Sequence, residues 1–255
     1  MGRVTPRLLV VRVALGLALP FLAFAGCGDD ESAVDPATAQ APADSQEREP
    51  RVLELPDRGH PFVEVRRGRR VDLYDSPRGK VIDTVGEETE FSSPTAFAVQ
   101  RVRDGWAAVP TAHFENGRLA WLRLDPRRLR ARSTYYSVEI DLSEFRTDLL
   151  FRDRVVNSFE VSIGMPEAPT PTGRFAVTDT FRGDLNAAYG CCAVALTARQ
   201  TRLPSGWLGG DRIAIHGTSG PLGAAISHGC VRAENPEVSD LVDRLWPGTP
   251  VTIRQ

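Results

Sequence analysis

Two histidines and one cysteine, close together in the sequence, are the residues best suited to chemistry. The run His216–Thr218 is followed by the run Ser227–Arg232, which places two of the chain's four histidines near Cys230. A thiol is only a few per cent thiolate at neutral pH, so a nucleophilic cysteine gains from a neighbouring base. His216 and His228 are the local candidates for that base. The pattern therefore predicts a cysteine nucleophile that transfers or hydrolyses an acyl group.

The residues between these side chains suit the same chemistry. Gly217 and Gly229 allow the backbone to approach a substrate closely. The backbone N–H groups of Gly229 and Cys230 could stabilise an oxyanion, and Arg232 could hold a carboxylate through two hydrogen bonds. This reasoning indicates an acyl-transfer site and leaves its substrate open.

The two runs, HGT and SHGCVR, resemble the signature of the L,D-transpeptidase catalytic domain, also called the YkuD domain. The stretch Val161–Val177 resembles the strand-loop-strand that precedes the family's catalytic half, and the likeness extends from about Tyr135 onward. The resemblance implies that Cys230 is the nucleophile and His216 the base. It also implies that Gly229 and Cys230 supply oxyanion donors. Ala233 departs from the larger apolar residue expected there, which affects only local packing.

The candidate site residues divide into two groups. The catalytic group is Cys230, His216, His228 and Gly229, and the substrate-binding group is Arg232, Ser227, Gly217 and Thr218. For His228, a structural role is as well supported as a catalytic one. We expect no cofactor and no metal.

The resemblance also implies the substrate. Cys230 would attack peptidoglycan tetrapeptide stems, form a thioester and pass the acyl group to an amine of another stem, making a cross-link. Transfer to water would make the protein an L,D-carboxypeptidase, and transfer to a protein amine would make it an anchoring enzyme. Two other classes stay open. One is a metallohydrolase using His216, His228 and Cys230 as ligands, and the other is a catalytically silent wall-binding lipoprotein.

The first residues are typical of an export signal. Three arginines precede the apolar run Val13–Ala25, which is too short to span a bilayer comfortably. The run leads into Phe24-Ala25-Gly26-Cys27, which resembles a bacterial lipobox, although Phe24 replaces the usual leucine. We predict a lipoprotein signal peptide at 1–27, a lipid on Cys27 and a disordered tether at 28–58. The protein would then be extracytoplasmic, anchored to a bacterial membrane and facing the cell wall.

Charge and cysteine content limit the remaining possibilities. The net charge of −2 gives no support for nucleic-acid binding. Four cysteines are present, and lipid on Cys27 would leave an odd number, which favours a free reactive thiol. For Cys191 and Cys192, packing is favoured over a disulfide between adjacent residues.

The rest of the chain predicts a mainly β protein. Short alternating strands and turns at 59–131, including Asp104-Gly105 and Asn116-Gly117, resemble a small SH3-like barrel. A β-rich catalytic domain is expected at 133–255, with His216 directly following a strand at 212–215. One helix is predicted after it, capped by Asn235 with Pro236 at its first position.

Overall fold

A computed structural model describes residues 51–183, 185–207 and 210–255. The predicted signal peptide, Cys27 and most of the predicted tether lie outside these residues. Glu47 to Gln255 cluster as one compact unit. Its fold is mainly β, as the sequence predicts, and in the described residues the only α-helix is a short one.

The region before residue 135 forms two antiparallel sheets around a core of its own. One has the strand order β3-β2-β7-β6-β5 and the other the order β4-β1-β8. The strands are β1 (His60–Val65), β2 (Val71–Tyr74), β3 (Val81–Val85), β4 (Ala96–Ala98), β5 (Arg101–Arg103), β6 (Trp106–Pro110), β7 (Leu119–Arg123) and β8 (Leu129–Thr134). We call this the small β region; its likeness to SH3 domains stays a prediction.

Two turn predictions for the small β region can be compared with the structure. Asp104 and Gly105 both have positive φ and join β5 to β6, as the sequence indicates. Asn116-Gly117 lies at the centre of a turn closed by Arg118 N–H to Glu115 O, within a longer loop between β6 and β7. The packed fold also begins earlier than the predicted end of the tether. Leu53 and Leu55 contact this core, and Leu53 N–H donates to Leu124 O at 2.8 Å.

The second region contains an eight-stranded sheet with the order β11-β10-β9-β18-β13-β14-β15-β17. Strand β18 lies between β13, to which it is antiparallel, and β9, to which it is parallel. A short parallel pair, β12-β16, lies beside it. The strands are β9 (Tyr136–Asp141), β10 (Arg146–Phe151), β11 (Arg154–Glu160), β12 (Ile163–Gly164), β13 (Gly173–Arg182), β14 (Cys192–Arg199), β15 (Arg212–Thr218), β16 (Ala225–Ser227), β17 (Val231–Glu234) and β18 (Pro250–Arg254). We call this the catalytic sheet, because the sequence predicts the catalytic residues His216 and Cys230 on or beside its strands.

Helix α1 (Asn235–Arg244) covers one face of the catalytic sheet and buries Val238 and Leu241 in its core. The predicted cap is off by one residue. Glu234 occupies the cap position, while Asn235 is helical and its side-chain oxygen accepts a hydrogen bond from Cys191 N–H. A 3₁₀ turn, Ala187–Tyr189, precedes β14.

Candidate active site

His216 lies on β15, and Cys230 comes directly before the neighbouring parallel strand β17. In the register of β15 and β17, Ile215 pairs with Val231 and His216 pairs with Arg232. Ile215 and Val231 are buried in the core under α1. Because side chains alternate along a strand, His216 and Arg232 project from the opposite face. Cys230 precedes Val231 by one residue, and its thiol accepts a hydrogen bond from the Ala214 N–H of β15. The strand pairing thus brings together residues that the sequence places in two separate runs.

His216 is held in one tautomer. Its ring is 4% exposed, and Nδ1 lies 3.0 Å from the carbonyl oxygen of Gly217. A carbonyl only accepts hydrogen bonds, so Nδ1 carries the proton and Nε2 is left as the acceptor. Burial lowers the pKa of His216, the Gly217 carbonyl opposes this, and the Arg232 guanidinium lowers the pKa further. The resting imidazole is therefore neutral at neutral pH and able to take a proton.

Cys230 is the free cysteine of the described residues and is half-buried. Burial raises the pKa of its thiol, and the Ala214 N–H and the Arg232 charge oppose that rise only in part. The thiol is consequently protonated at rest and needs a base before it can attack.

The loop before Cys230 is fixed by buried polar side chains. Ser227 is fully buried; its hydroxyl donates to Cys230 O at 2.6 Å and accepts from Gly229 N–H at 3.1 Å. The Gly229 N–H is thus already bound to the Ser227 hydroxyl. Of the two predicted oxyanion donors, only the Cys230 N–H has no hydrogen-bond partner in the described part of the chain. The roles predicted for Ser227 and Gly229 towards the substrate stay predictions.

Gln200 and Thr170 hold the carbonyl groups of the same loop. Gln200 Nε2 donates to His228 O at 3.0 Å and to Pro169 O at 3.1 Å, while Thr170 Oγ1 donates to Gly229 O at 2.9 Å. Gly229 has φ +111°, and a Cβ there would lie 2.3 Å from Gln200 Nε2. Only glycine fits this position. Sequence reasoning missed Gln200 and Thr170, because neither belongs to a recognisable motif.

Two aromatic rings flank the candidate site and were also missed. The Tyr189 ring meets the His216 ring edge-on with centroids 4.9 Å apart, and Trp207 lies 5.0 Å from the His228 ring. Burial raises the pKa of Tyr189, and the charge of a Cys230 thiolate raises it further. His228 is thus engaged with Trp207, whereas His216 lies in the sheet beside Cys230.

Arg232, Gly217 and Thr218 border the same site. The backbone of Arg232 exchanges two hydrogen bonds of 2.8 Å with Ser162, and its buried Nε has no partner among the described residues. A Cβ on Gly217 would lie 2.1 Å from Asn235 Oδ1, so this glycine allows the helix to pack closely. Thr218 Oγ1 accepts from Gly220 N–H.

Cys191 and Cys192 form a disulfide, which corrects the preference for packing alone. Cys192 is also buried in the core, so packing is part of its role. The pair follows Tyr189 by only a few residues and is bound to the start of α1 through Asn235.

Neither a metal site nor a membrane span is found in the described ranges. Across residues 51–183, 185–207 and 210–255, no three His, Cys, Asp or Glu side chains come together in a way that could hold a metal ion. The metallohydrolase alternative therefore has no ligand set there. In the same part of the chain, no helix is both long and apolar enough to cross a bilayer.

Comparison with known proteins shows what this region is similar to. Residues 135–253 match the family model of YkuD, the L,D-transpeptidase catalytic domain. The chain is 26% identical over 122 residues to a Bacillus subtilis protein named as the L,D-transpeptidase YkuD. This alignment covers 47% of this chain and 66% of that protein. The protein of the same name in Bacillus licheniformis is 27% identical over 120 residues, covering 46% and 65%. The chain thus spans slightly less than two thirds of these relatives. The structure of Bdellovibrio bacteriovorus Bd1075 aligns with a TM-score of 0.38 at 21% identity, over 48% of each chain.

Proposed function

We propose that the YkuD-type region at residues 135–253 is a cysteine-dependent L,D-transpeptidase that cross-links peptidoglycan tetrapeptide stems. The observation that carries this proposal is the placement of Cys230 directly before β17, beside the strand β15 that carries His216, with His216 Nδ1 bound to the Gly217 carbonyl. The names of the two Bacillus relatives point to the same activity.

The first half-reaction forms a thioester. His216 Nε2 takes the thiol proton as Cys230 Sγ attacks the carbonyl that joins the diamino acid to the terminal D-Ala. The Cys230 N–H donates to the oxyanion, and Arg232 is suited to bind a substrate carboxylate nearby. When the tetrahedral intermediate collapses, the C–N bond breaks and the His216 imidazolium protonates the departing D-Ala amine.

The second half-reaction forms the cross-link. A neutral amine of a second stem attacks the thioester, His216 accepts its proton, and the Cys230 thiolate leaves and takes that proton back. Water in place of the amine would give an L,D-carboxypeptidase, and a protein amine would give an anchoring enzyme. All three reactions use the same thioester on Cys230 and the same base, His216.

The proposed location is the outer face of a bacterial membrane. A lipid on Cys27 would anchor the protein there, and the predicted tether would let the catalytic region reach newly made peptidoglycan. Fractionation of cells producing wild type or Cys27→Ala tests this: the wild type should be in the membrane fraction and the variant soluble. A soluble wild type would show that Cys27 is not the anchor.

The direct test of the chemistry is intact mass spectrometry after exposure to imipenem, which is bound in a solved L,D-transpeptidase, LdtMt1. We expect one covalent adduct on the wild type and none on Cys230→Ala, together with D-Ala release from a stem tetrapeptide by the wild type only. Turnover by a folded Cys230→Ala variant would contradict the mechanism. Absence of both activities from the wild type would instead favour a silent wall-binding protein.

A further inference from the structure

A cavity lies between the small β region and the catalytic sheet, away from Cys230. It encloses about 260 Å³, and we call it cavity A. Its walls come from both sides: residues within 84–97 and 110–113 of the small β region, and Thr178, Thr197 and Arg212 of the catalytic sheet. A ligand there would contact both regions at once.

Cavity A borders the sheet face that carries the catalytic histidine. Ile213 and Ile215 point into the core, so Arg212, Ala214 and His216 project from the other face of β15. Arg212 and His216 are four residues apart along the strand, a distance of about 13 Å. That distance is close to the extended length of a tetrapeptide.

Cavity A has a surplus of hydrogen-bond acceptors and negative charge. The Arg212 guanidinium is bound to Glu90 at 2.5 Å and lies 3.9 Å from Asp179, so its charge is already balanced by two carboxylates. Glu88 adds a further carboxylate to the wall. Thr95 lines the cavity and is 7% exposed; its hydroxyl is covered and has no hydrogen-bond partner among the described residues, so it would turn toward the cavity to meet a ligand. An ammonium group supplies both the donors and the positive charge that these groups lack.

A second cavity of about 290 Å³ adjoins the first and has the opposite charge. The two cavities share Thr111 and Thr197, and we call the second one cavity B. Arg101, Arg118 and Arg174 line cavity B against a single acid, Glu115. Because the arginines outnumber the acid, cavity B is suited to a carboxylate.

We propose that cavities A and B together bind a second, non-reacting stem peptide of peptidoglycan. The ammonium group of its diamino acid occupies cavity A, and one of its carboxylates occupies cavity B. This inference rests on the proposed function, since it takes the same polymer as ligand. A stem bound there would hold the wall beside the catalytic pair between turnovers.

The probe for this site is a synthetic stem tripeptide that ends at the diamino acid and so lacks the bond that Cys230 would attack. Its binding to the full chain is measured by calorimetric titration. Thr95→Val removes the unpartnered hydroxyl with little change of shape and should weaken binding about three- to tenfold, the worth of one hydrogen bond. Thr147→Val is the matched control, because Thr147 is also buried with an unpartnered hydroxyl but lies outside both cavities.

A second pair of variants tests the charge of cavity B. Arg101→Gln should weaken tripeptide binding by a similar factor, whereas Arg103→Gln, on the same strand but outside both cavities, should not. No saturable binding to the wild type would overturn the proposal. Equal weakening by Thr147→Val or Arg103→Gln would do so too, since it would indicate general destabilisation or non-specific attraction.

Acylation of Cys230 by imipenem is measured on the same samples. Normal acylation without tripeptide binding would overturn the cavity proposal alone. A wild type that binds the tripeptide but is neither acylated nor able to release D-Ala would overturn the proposed function alone.

Discussion

At the scale of single residues, the candidate site depends on a neutral base beside a neutral thiol. Burial favours the uncharged form of both groups, and Arg232 favours the neutral imidazole and the charged thiolate. The proton therefore moves as the substrate is attacked. This differs from a preformed thiolate-imidazolium pair, and it makes the pH dependence informative.

Acylation should persist at lower pH than an ordinary histidine would allow. His216 accepts a proton only when neutral, so the rate falls as pH drops through its pKa, which lies below the usual 6.5. Arg232→Gln removes a charge that lowers this pKa, so the acid limb should move to higher pH. Arg232→Lys keeps the charge and should leave the limb in place. The measurement is the rate of imipenem labelling against pH, and an unmoved limb in Arg232→Gln would refute this account.

The two histidines should differ in importance. His216→Ala removes the base and should slow acylation about 10²–10⁴-fold. His228→Ala should cost far less, because its ring contacts Trp207 instead of lying in the sheet beside Cys230. Labelling rates of both variants, with thermal unfolding as the control for folding, decide between them. A larger loss in His228→Ala would reverse the assigned roles.

Tyr189 should act through its ring and not through its hydroxyl. The edge-on contact with His216 is worth about 0.5–1.5 kcal/mol, so Tyr189→Ala should slow acylation roughly two- to tenfold. Tyr189→Phe keeps the ring and should react at the wild-type rate. A slow Tyr189→Phe variant would instead show that the phenol takes part.

At the scale of elements, the loop between β16 and β17 is the part that must keep its shape. Its carbonyl groups are held by Gln200 at the end of β14 and by Thr170 in the loop before β13. Two segments distant in sequence from this loop therefore set the direction of the Cys230 N–H.

Gly229→Ala tests how closely this loop is packed. The new Cβ would lie 2.3 Å from Gln200 Nε2 and 2.9 Å from Ile213 Cδ1, so the loop must shift. A displacement of this kind should slow acylation about 100-fold while the sheet stays folded. Gly220→Ala, where the nearest atom is 3.3 Å away, is the control. Near-normal labelling of Gly229→Ala would show that the loop adapts.

The sequence alone predicted some of these elements and missed others. In the catalytic region it predicted a strand at 212–215, which is part of β15, and the helix α1, whose apolar spacing and first-turn proline are visible locally. It missed β14, because this strand is buried almost throughout and rich in alanine, so it shows neither alternation nor strong strand propensity. Gln200 directly follows β14, so nothing in the sequence indicated that it lies near the candidate site. His216 was placed just after a strand, whereas it lies inside β15. The pairing of Cys230 with His216 came from the motif, and the tautomer, the loop bonds and Tyr189 depend on contacts that no local pattern reveals.

At the scale of the whole molecule, the small β region and the catalytic sheet share polar contacts across their boundary. Thr89 hydrogen-bonds to Asp179, Glu90 pairs with Arg212, and Asn116 exchanges two hydrogen bonds with the backbone of Arg199. The two cores are separate, but these contacts couple them.

Asn116→Ala should weaken this coupling. It leaves the N–H and C=O of Arg199 without their partners, which should lower the free energy of unfolding by about 1–3 kcal/mol. Denaturant titration at fixed pH measures the loss. Asn157→Ala, which breaks one bond to Glu237 within the catalytic region, is the comparison and should cost less. An unchanged midpoint in Asn116→Ala would mean that the two regions unfold independently.

The position of β18 has a consequence for biosynthesis. This strand lies in the interior of the catalytic sheet, yet its partners β9 and β13 are made more than 60 residues earlier in the chain. Contacts so distant in sequence form late and slowly. The sheet therefore cannot be completed until residues 250–254 have been made, and we expect the thiol to stay inactive until then.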